Sequence, residues 1–185
     1  MKKLFLLAIG ILMLGSCEIE DLNKIDLLNL DNGAYMRTIS PTAANMTFSK
    51  AAIAAASLTF TVEAVDPERG AQFGSYDLAV EFRDRTASNG NNSVALKALK
   101  SVTPNGFATD ATSGYLRGTF NVTAAEIMTL LGVTVDKLTK GDSFDVYSTL
   151  VTKDGRKYSV SNTDPDILGG AFYNSPFYYR INITD

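Results

Sequence analysis

The chain contains no histidine and a single cysteine, Cys17. Histidine is the commonest general base and the commonest ligand for zinc, copper and iron. A Ser-His-Asp triad, a Cys-His pair and the usual zinc sites are therefore excluded by composition. The groups left to do chemistry are carboxylates, amides and tyrosines. Glu63, Asp66, Glu68, Glu81 and Asp84 fall on two successive predicted strands and their connection. Two carboxyls held ~5–9.5 Å apart in a cleft could hydrolyse a glycosidic bond. The sequence gives no sign of such a cleft. Glu63 and Glu81 fall on predicted wet faces, so a solvated role is expected and a carboxylate-dependent hydrolase ranks last among the readings. Asn162, Asp164 and Asp166 alternate in a loop and could offer three oxygens to calcium. The sixth position of that loop is Ile167 where a calcium loop needs glycine, and the closing glutamate is missing. A turn-forming role is expected there, and no metal or cofactor is assigned.

The sharpest chemical feature is aromatic: Phe172, Tyr173, Phe177, Tyr178 and Tyr179 lie within eight positions. Sugar rings present C–H faces that stack on aromatic planes, and a tyrosine adds a hydroxyl for hydrogen bonding. Alternation sends Phe177 and Tyr179 inward and leaves Tyr178 outward, with Phe172 and Tyr173 in a loop after two glycines. Phe172, Tyr173 and Tyr178 are the candidate ligand contacts. Packing in the core or along an edge is the rival reading for the group, and the absence of tryptophan weakens a glycan platform.

The elements that must position these residues begin after an unusual N-terminus. Lys2 and Lys3 precede an uncharged apolar run over 4–14, and Leu14-Gly15-Ser16-Cys17 follows, with small residues just before the cysteine. The run is too short to span a bilayer, which takes ~20 residues, and it has no polar face to make it a surface helix. Leu-Gly-Ser-Cys resembles the lipobox of bacterial lipoproteins. The resemblance implies cleavage between Ser16 and Cys17, a diacylglyceryl thioether on the cysteine sulfur and acylation, as by palmitate, of the new amino group. Two or three acyl chains, at ~0.8 kcal/mol per buried CH₂, hold a protein on a membrane where one would not. The expected organisation is a signal peptide over 1–16, a lipidated tether over 17–32 and one domain over 33–185. After cleavage, 15 Lys and Arg face 20 Asp and Glu, a net charge of −5. No basic cluster is visible, so a nucleic-acid partner is not expected. Glu18, Glu20 and Asp21 follow the cysteine directly. Acidic residues at that place in lipoproteins of Bacteroidetes resemble a signal for display on the cell surface.

From Gly33 onward, strand signals dominate. Residues 33–40 read as a first strand stopped by Pro41. Over 57–66, Leu58, Phe60, Val62 and Ala64 share one face, opposite Thr59, Thr61 and Glu63. The alanine-rich 50–56 reads as a loop or one helical turn. Residues 76–84 alternate with Tyr76, Leu78, Val80 and Phe82 inward. Residues 94–103 form a weaker strand and 115–122 another. Thr123 and Glu126 fit a capping box that opens one short helix closed by Gly132. Residues 144–153 and 156–162 form a hairpin through Asp154-Gly155. The last strand covers 176–184, with Phe177, Tyr179, Ile181 and Ile183 on one face. Seven or eight strands and one short helix, evenly spaced, predict an all-β, immunoglobulin-like antiparallel β-sandwich, with a small β-barrel as the alternative.

Two stretches, Asp31-Asn32-Gly33-Ala34-Tyr35-Met36-Arg37 and 169–179, carry a further likeness, together with Asp154-Gly155-Arg156 and Thr123-Ala124-Ala125-Glu126. With them the chain resembles small Bacteroidetes surface lipoproteins encoded beside SusC/SusD-type outer-membrane importers. The resemblance implies a lipid anchor in the outer membrane, facing the cell surface, and a role as a non-catalytic accessory module that captures a glycan or nutrient. Its implied partners are the membrane, a glycan and importer components. An adhesion or fimbria-like structural subunit is the alternative. The first expectation to check is chemical: protein recovered from cells should begin at Cys17 and carry lipid on it, by intact mass. A retained leader or a free sulfhydryl refutes the anchor.

Overall fold

Strict alternation builds the long strands. In strand β4 (Phe73–Arg83) the side chains of Tyr76, Leu78, Val80 and Phe82 are buried, and in β10 (Tyr178–Thr184) so are those of Tyr179, Ile181 and Ile183. Strand β3 (Ser57–Val65) buries Phe60, Val62 and Ala64 in the same manner. A sheet with one apolar face must lay it on another apolar surface. In the computed structural model, which describes residues 33–86, 90–169 and 177–185, that surface is a second sheet. Cys17, Phe172 and Tyr173 lie outside the described residues.

The other long strands are β1 (Tyr35–Ser40), β5 (Val94–Val102), β7 (Leu116–Thr123) and β8 (Ser143–Thr152). Short strands β2 (Thr47–Ser49), β6 (Ala108–Thr109) and β9 (Lys157–Tyr158) complete the set. One sheet has the order β1-β3-β7-β6; the larger has the order β2-β10-β8-β4-β5, with β9 paired to β8. The pairs are antiparallel except β2 with β10. Reading β1, β3, β7 and β6 as strands A, B, E and D, and β10, β8, β4 and β5 as G, F, C and C′, gives the immunoglobulin-type arrangement. The expected all-β sandwich is the observed fold, and neither sheet closes into a barrel. Residues 33–185 form one compact unit.

The immunoglobulin disulfide and its tryptophan are impossible here, since one cysteine and no tryptophan exist. Phenyl rings and hydroxyls take their place. Phe60 stacks on Phe120 of β7 at 5.0 Å and meets Tyr179 of the opposite sheet edge-on at 5.0 Å. A chain of buried hydroxyls then crosses the core. Ser148 Oγ donates to Tyr76 Oη at 2.7 Å, Tyr76 Oη lies 2.8 Å from Tyr179 Oη, and Tyr179 Oη lies 2.8 Å from Thr38 Oγ1 on β1. Burial holds both phenols above the ordinary tyrosine range, most strongly Tyr76. Gly118 makes room for Phe107, because a Cβ there would lie 2.3 Å from that ring.

Helix α1 (Ala124–Leu131) covers the flank between β5 and β7. Its capping box is present, with Thr123 Oγ1 accepting from the Glu126 amide at 3.1 Å, and Gly132 ends it at φ 73°. One feature differs from expectation. A second helix, α2 (Pro165–Gly169), occupies five residues read as loop, with the Asp164 carbonyl accepting from the Ile167 and Leu168 amides. Proline at the first helical position is favourable, but one turn leaves no periodicity to read. Residues Lys50–Ala55 form a 3₁₀ segment that buries Ile53. Among the described residues, no helix is long and apolar enough to cross a membrane.

Tyr179→Phe tests the hydroxyl chain. It removes the group shared by Thr38 and Tyr76, and should cost about 1–3 kcal/mol in urea unfolding. Unchanged stability would show that the chain contributes nothing.

Candidate functional site

The register of the larger sheet assembles a site on its outer face. Asp145 of β8 stands opposite Glu81 of β4 on one side and Arg180 of β10 on the other. One step along, Tyr147 lies between Tyr178 and Ala79, and Ala79 pairs with Ala98. The next row holds Thr149, Asp77 and Ser101, where the Ser101 hydroxyl donates to Asp77 at 2.6 Å. Two tyrosines thus sit beside two alanines, with charge on one flank and small polar groups on the other. The alanines leave the surface low next to the rings, and the result is a shelf.

Each ring is held by its hydroxyl. Tyr147 Oη donates to Glu81 at 3.1 Å, and Tyr178 Oη donates to Asp145 at 2.9 Å. Burial and then the carboxylate partner raise both phenols above their ordinary value, so both stay neutral donors. The rings are 5.2 Å apart at 52°. Glu81 accepts from Arg83 Nε at 2.7 Å. Asp145, only 2% exposed, accepts from Ser143 Oγ at 2.7 Å, and the Arg180 and Arg85 guanidiniums lie 3.6 and 3.5 Å away. Arg180 also lies over the Tyr178 ring at 5.7 Å. Locked rings with tied hydroxyls lose little rotamer freedom when a flat ligand settles on them.

Tyr178 is where alternation placed it, outward and half-buried, while Phe177 and Tyr179 are buried. Phe172 and Tyr173 lie outside the described residues. Sequence reading passed over Tyr147, Asp145 and Arg180. Alternation over 143–152 does place Asp145 and Tyr147 on one face, but their pairing with β10 is a tertiary fact. Asn162 spends its side chain on its own loop, accepting from the Ser159 amide at 2.8 Å and donating to the Lys157 carbonyl at 2.7 Å. The carbonyl of Asp164 opens α2, and the side chain of Asp166 is outside the description. Among the described residues no cluster of three acidic or cysteine side chains could hold a metal.

The reading of Glu63 as a solvated residue is corrected by the structure. It does lie on the outer face, but its side chain is fully buried. Arg37 of β1 and Arg117 of β7 flank it in register and both pair with its carboxylate. Ser113 Oγ donates to it at 2.6 Å, Arg37 packs over the Tyr115 ring, and Asp110 pairs with Arg117 at 2.6 Å. Alternation counts faces, not what neighbours lay over them, so it could not see the two long arginine side chains that exclude water. Burial alone would raise this carboxyl. The Ser113, Arg37 and Arg117 hydrogen bonds outweigh it and hold Glu63 below its ordinary value. A carboxyl held ionised does not serve as a general acid near neutral pH. Asp66 and Asp84 close their own turns, Asp66 accepting from the amides of Glu68, Gly70 and Gln72 and Asp84 from those of Thr86 and Asn92.

The fold and site define an immunoglobulin-like sandwich with an aromatic and carboxylate shelf on one outer face. No known protein family and no curated protein matches the chain. Among solved structures it is similar to a bacterial adhesin from Mobiluncus mulieris containing intramolecular disulfide, isopeptide and ester bond cross-links, seen in two crystal forms. Identities are 12% and 11%, TM-scores are 0.28 and 0.29, and each match covers 82% of this chain and 56% of the adhesin chain. The chain thus spans a little over half the adhesin's length.

Glu63→Gln should destabilise the protein at pH 7 by on the order of 2–3 kcal/mol, the low side for a broken buried pair because both arginines are partly exposed. Since the folded carboxyl titrates below its unfolded value near 4.5, its contribution is complete above that pH and is lost as pH falls further. Urea unfolding of both proteins from pH 7 to 3 should show the gap closing only in the acid range. A constant gap would refute the ionised assignment.

Proposed function

We propose that this protein is a lipid-anchored, non-catalytic binding module of the outer membrane, displayed at the cell surface. It takes a glycan chain onto the Tyr147–Tyr178 shelf and serves as an accessory to a SusC/SusD-like importer. The observation that carries the reading is the shelf itself. Two locked, half-exposed tyrosine rings stand beside low alanine ground, with carboxylates, arginines and hydroxyls within reach of sugar hydroxyls. A sheet face is broad and open, which suits a polymer better than a small enclosed substrate. The lipobox-like leader and the acidic residues after Cys17 support the location.

An adhesion or fimbria-like subunit assembled through strand edges is the competing reading. It finds no support at β5, an edge strand with register shifts against β4. Lys97 and Lys100 there share the inward side with Val80 and Leu78, and reach Leu130 O at 2.9 Å and Asn121 O at 2.6 Å. Bulges and inward lysines are how sheet edges avoid pairing.

Glycan-array screening followed by calorimetry should reveal a polysaccharide ligand. Tyr147→Ala and Tyr178→Ala should each weaken binding about 3- to 10-fold, equivalent to ~0.5–1.5 kcal/mol of stacking. Tyr178→Phe, which keeps the ring, should retain most of the affinity. A ligand whose affinity ignores both alanine variants, or no ligand at all, would overturn the shelf as the binding surface.

A further inference from the structure

A concave surface lies away from the shelf, where the 66–72 turn meets the 110–116 segment and the end of β8. It is a groove of about 350 Å³ lined by Arg69, Lys153, Glu68, Pro104 and Leu116 among others. Asp66 shapes it by holding the amides of Glu68, Gly70 and Gln72. The turn is pressed onto β7: the Leu116 amide donates to Arg69 O at 3.1 Å, and a Cβ on Gly70 would lie 2.5 Å from Leu116 Cβ. Within this turn Arg69 takes φ 57°, the one non-glycine residue at positive φ among the described residues. Its guanidinium lies against Gly114, where an added Cβ would meet Nη1 at 3.0 Å. Lys153 is set beside the turn by the hydrogen bond that its backbone amide donates to Gln72 O at 2.8 Å.

Neither Arg69 nor Lys153 forms an ion pair among the described residues. Glu68, the anion in the lining, accepts from Gln72 Nε2 at 3.0 Å. A strained backbone that aims a cation into a groove is the kind of cost retained at ligand sites. We infer that this groove binds a monoanionic ring, a sugar acid whose carboxylate meets Arg69 and Lys153 while its C–H face rests on Pro104 and Leu116. The planar guanidinium matches a carboxylate in two-point contact, and lysine adds a point charge. Two cations against one carboxylate leave a single net positive charge, which suits a monoanion over a doubly charged phosphate. The volume is near the low end for small-ligand sites, ~300–1,000 Å³, room for one ring. The inference does not rest on the tyrosine shelf, which other residues form.

The test is calorimetric titration of the whole chain at low salt with sodium glucuronate, using methyl glucoside and inorganic phosphate as comparators. Glucuronate should bind and the comparators should not. Arg69→Gln and Lys153→Gln should each weaken binding about ten-fold or more, as expected for loss of a charge-assisted contact. Arg69→Gly, which suits the backbone angle, should raise the melting temperature and still abolish binding; Tyr147→Ala should leave it unchanged. No glucuronate binding, phosphate binding as tightly as glucuronate, or full affinity in Arg69→Gly would each overturn the assignment.

Discussion

The inward seat of Tyr179 is the constraint on which the rest of the structure depends. Its hydroxyl lies between Thr38 of one sheet and Tyr76 of the other, and its ring packs edge-on against Phe60. A buried hydroxyl must find partners, and here they are fixed in space by two strands, β1 and β4. Because side chains alternate along a strand, a one-residue slip of β10 would put Tyr178 in the core and Tyr179 in water. Fixing Tyr179 therefore fixes Tyr178 and Arg180 on the outside, and with them the shelf. In this way a packing requirement in the core determines the chemistry of the opposite face.

The two outer faces use charge differently. On the smaller sheet, Glu63 lies between two arginines and under Ser113, and its charge is wholly spent on its neighbours. Such a cluster ties β1, β3 and β7 together laterally, where the core holds them only from one side. On the larger sheet, Asp145 and Glu81 also pair with arginines, yet they hold tyrosine hydroxyls as well. The first arrangement closes a surface. The second orients aromatic planes and leaves them half-exposed.

Local chemistry at the chain's turns complements this. Asp66, Asp84 and Asp142 gather backbone amides that no strand would satisfy. Arg69 is carried by the first of these turns at φ 57°, next to the close approach of Gly70 to Leu116. Helix α1 fills the open flank with Ile127 and Leu131, and Lys97 caps its Leu130 carbonyl from β5.

Much of the fold was legible in the sequence, because alternation reports directly on burial in two-sided strands. The inward residues of β3, β4 and β10, the capping box at Thr123, the Asp154-Gly155 hairpin and the outward position of Tyr178 all follow from local pattern. Strands β2 and β6 and the short helix at 165–169 did not, since none is long enough for a pattern to repeat. The site was legible only in fragments. Tyr178 stood out, but Tyr147 became its neighbour through the pairing of β8 with β10, from 31 positions away in sequence, and Arg69 and Lys153 came to line one groove only through the folding of distant segments. The sequence by itself determined which faces are apolar and which residue types are available for chemistry. Tertiary structure alone decided which polar residues became neighbours and which, like Glu63, lost their water, because cross-strand register and the reach of long side chains from other strands are not properties of any local segment.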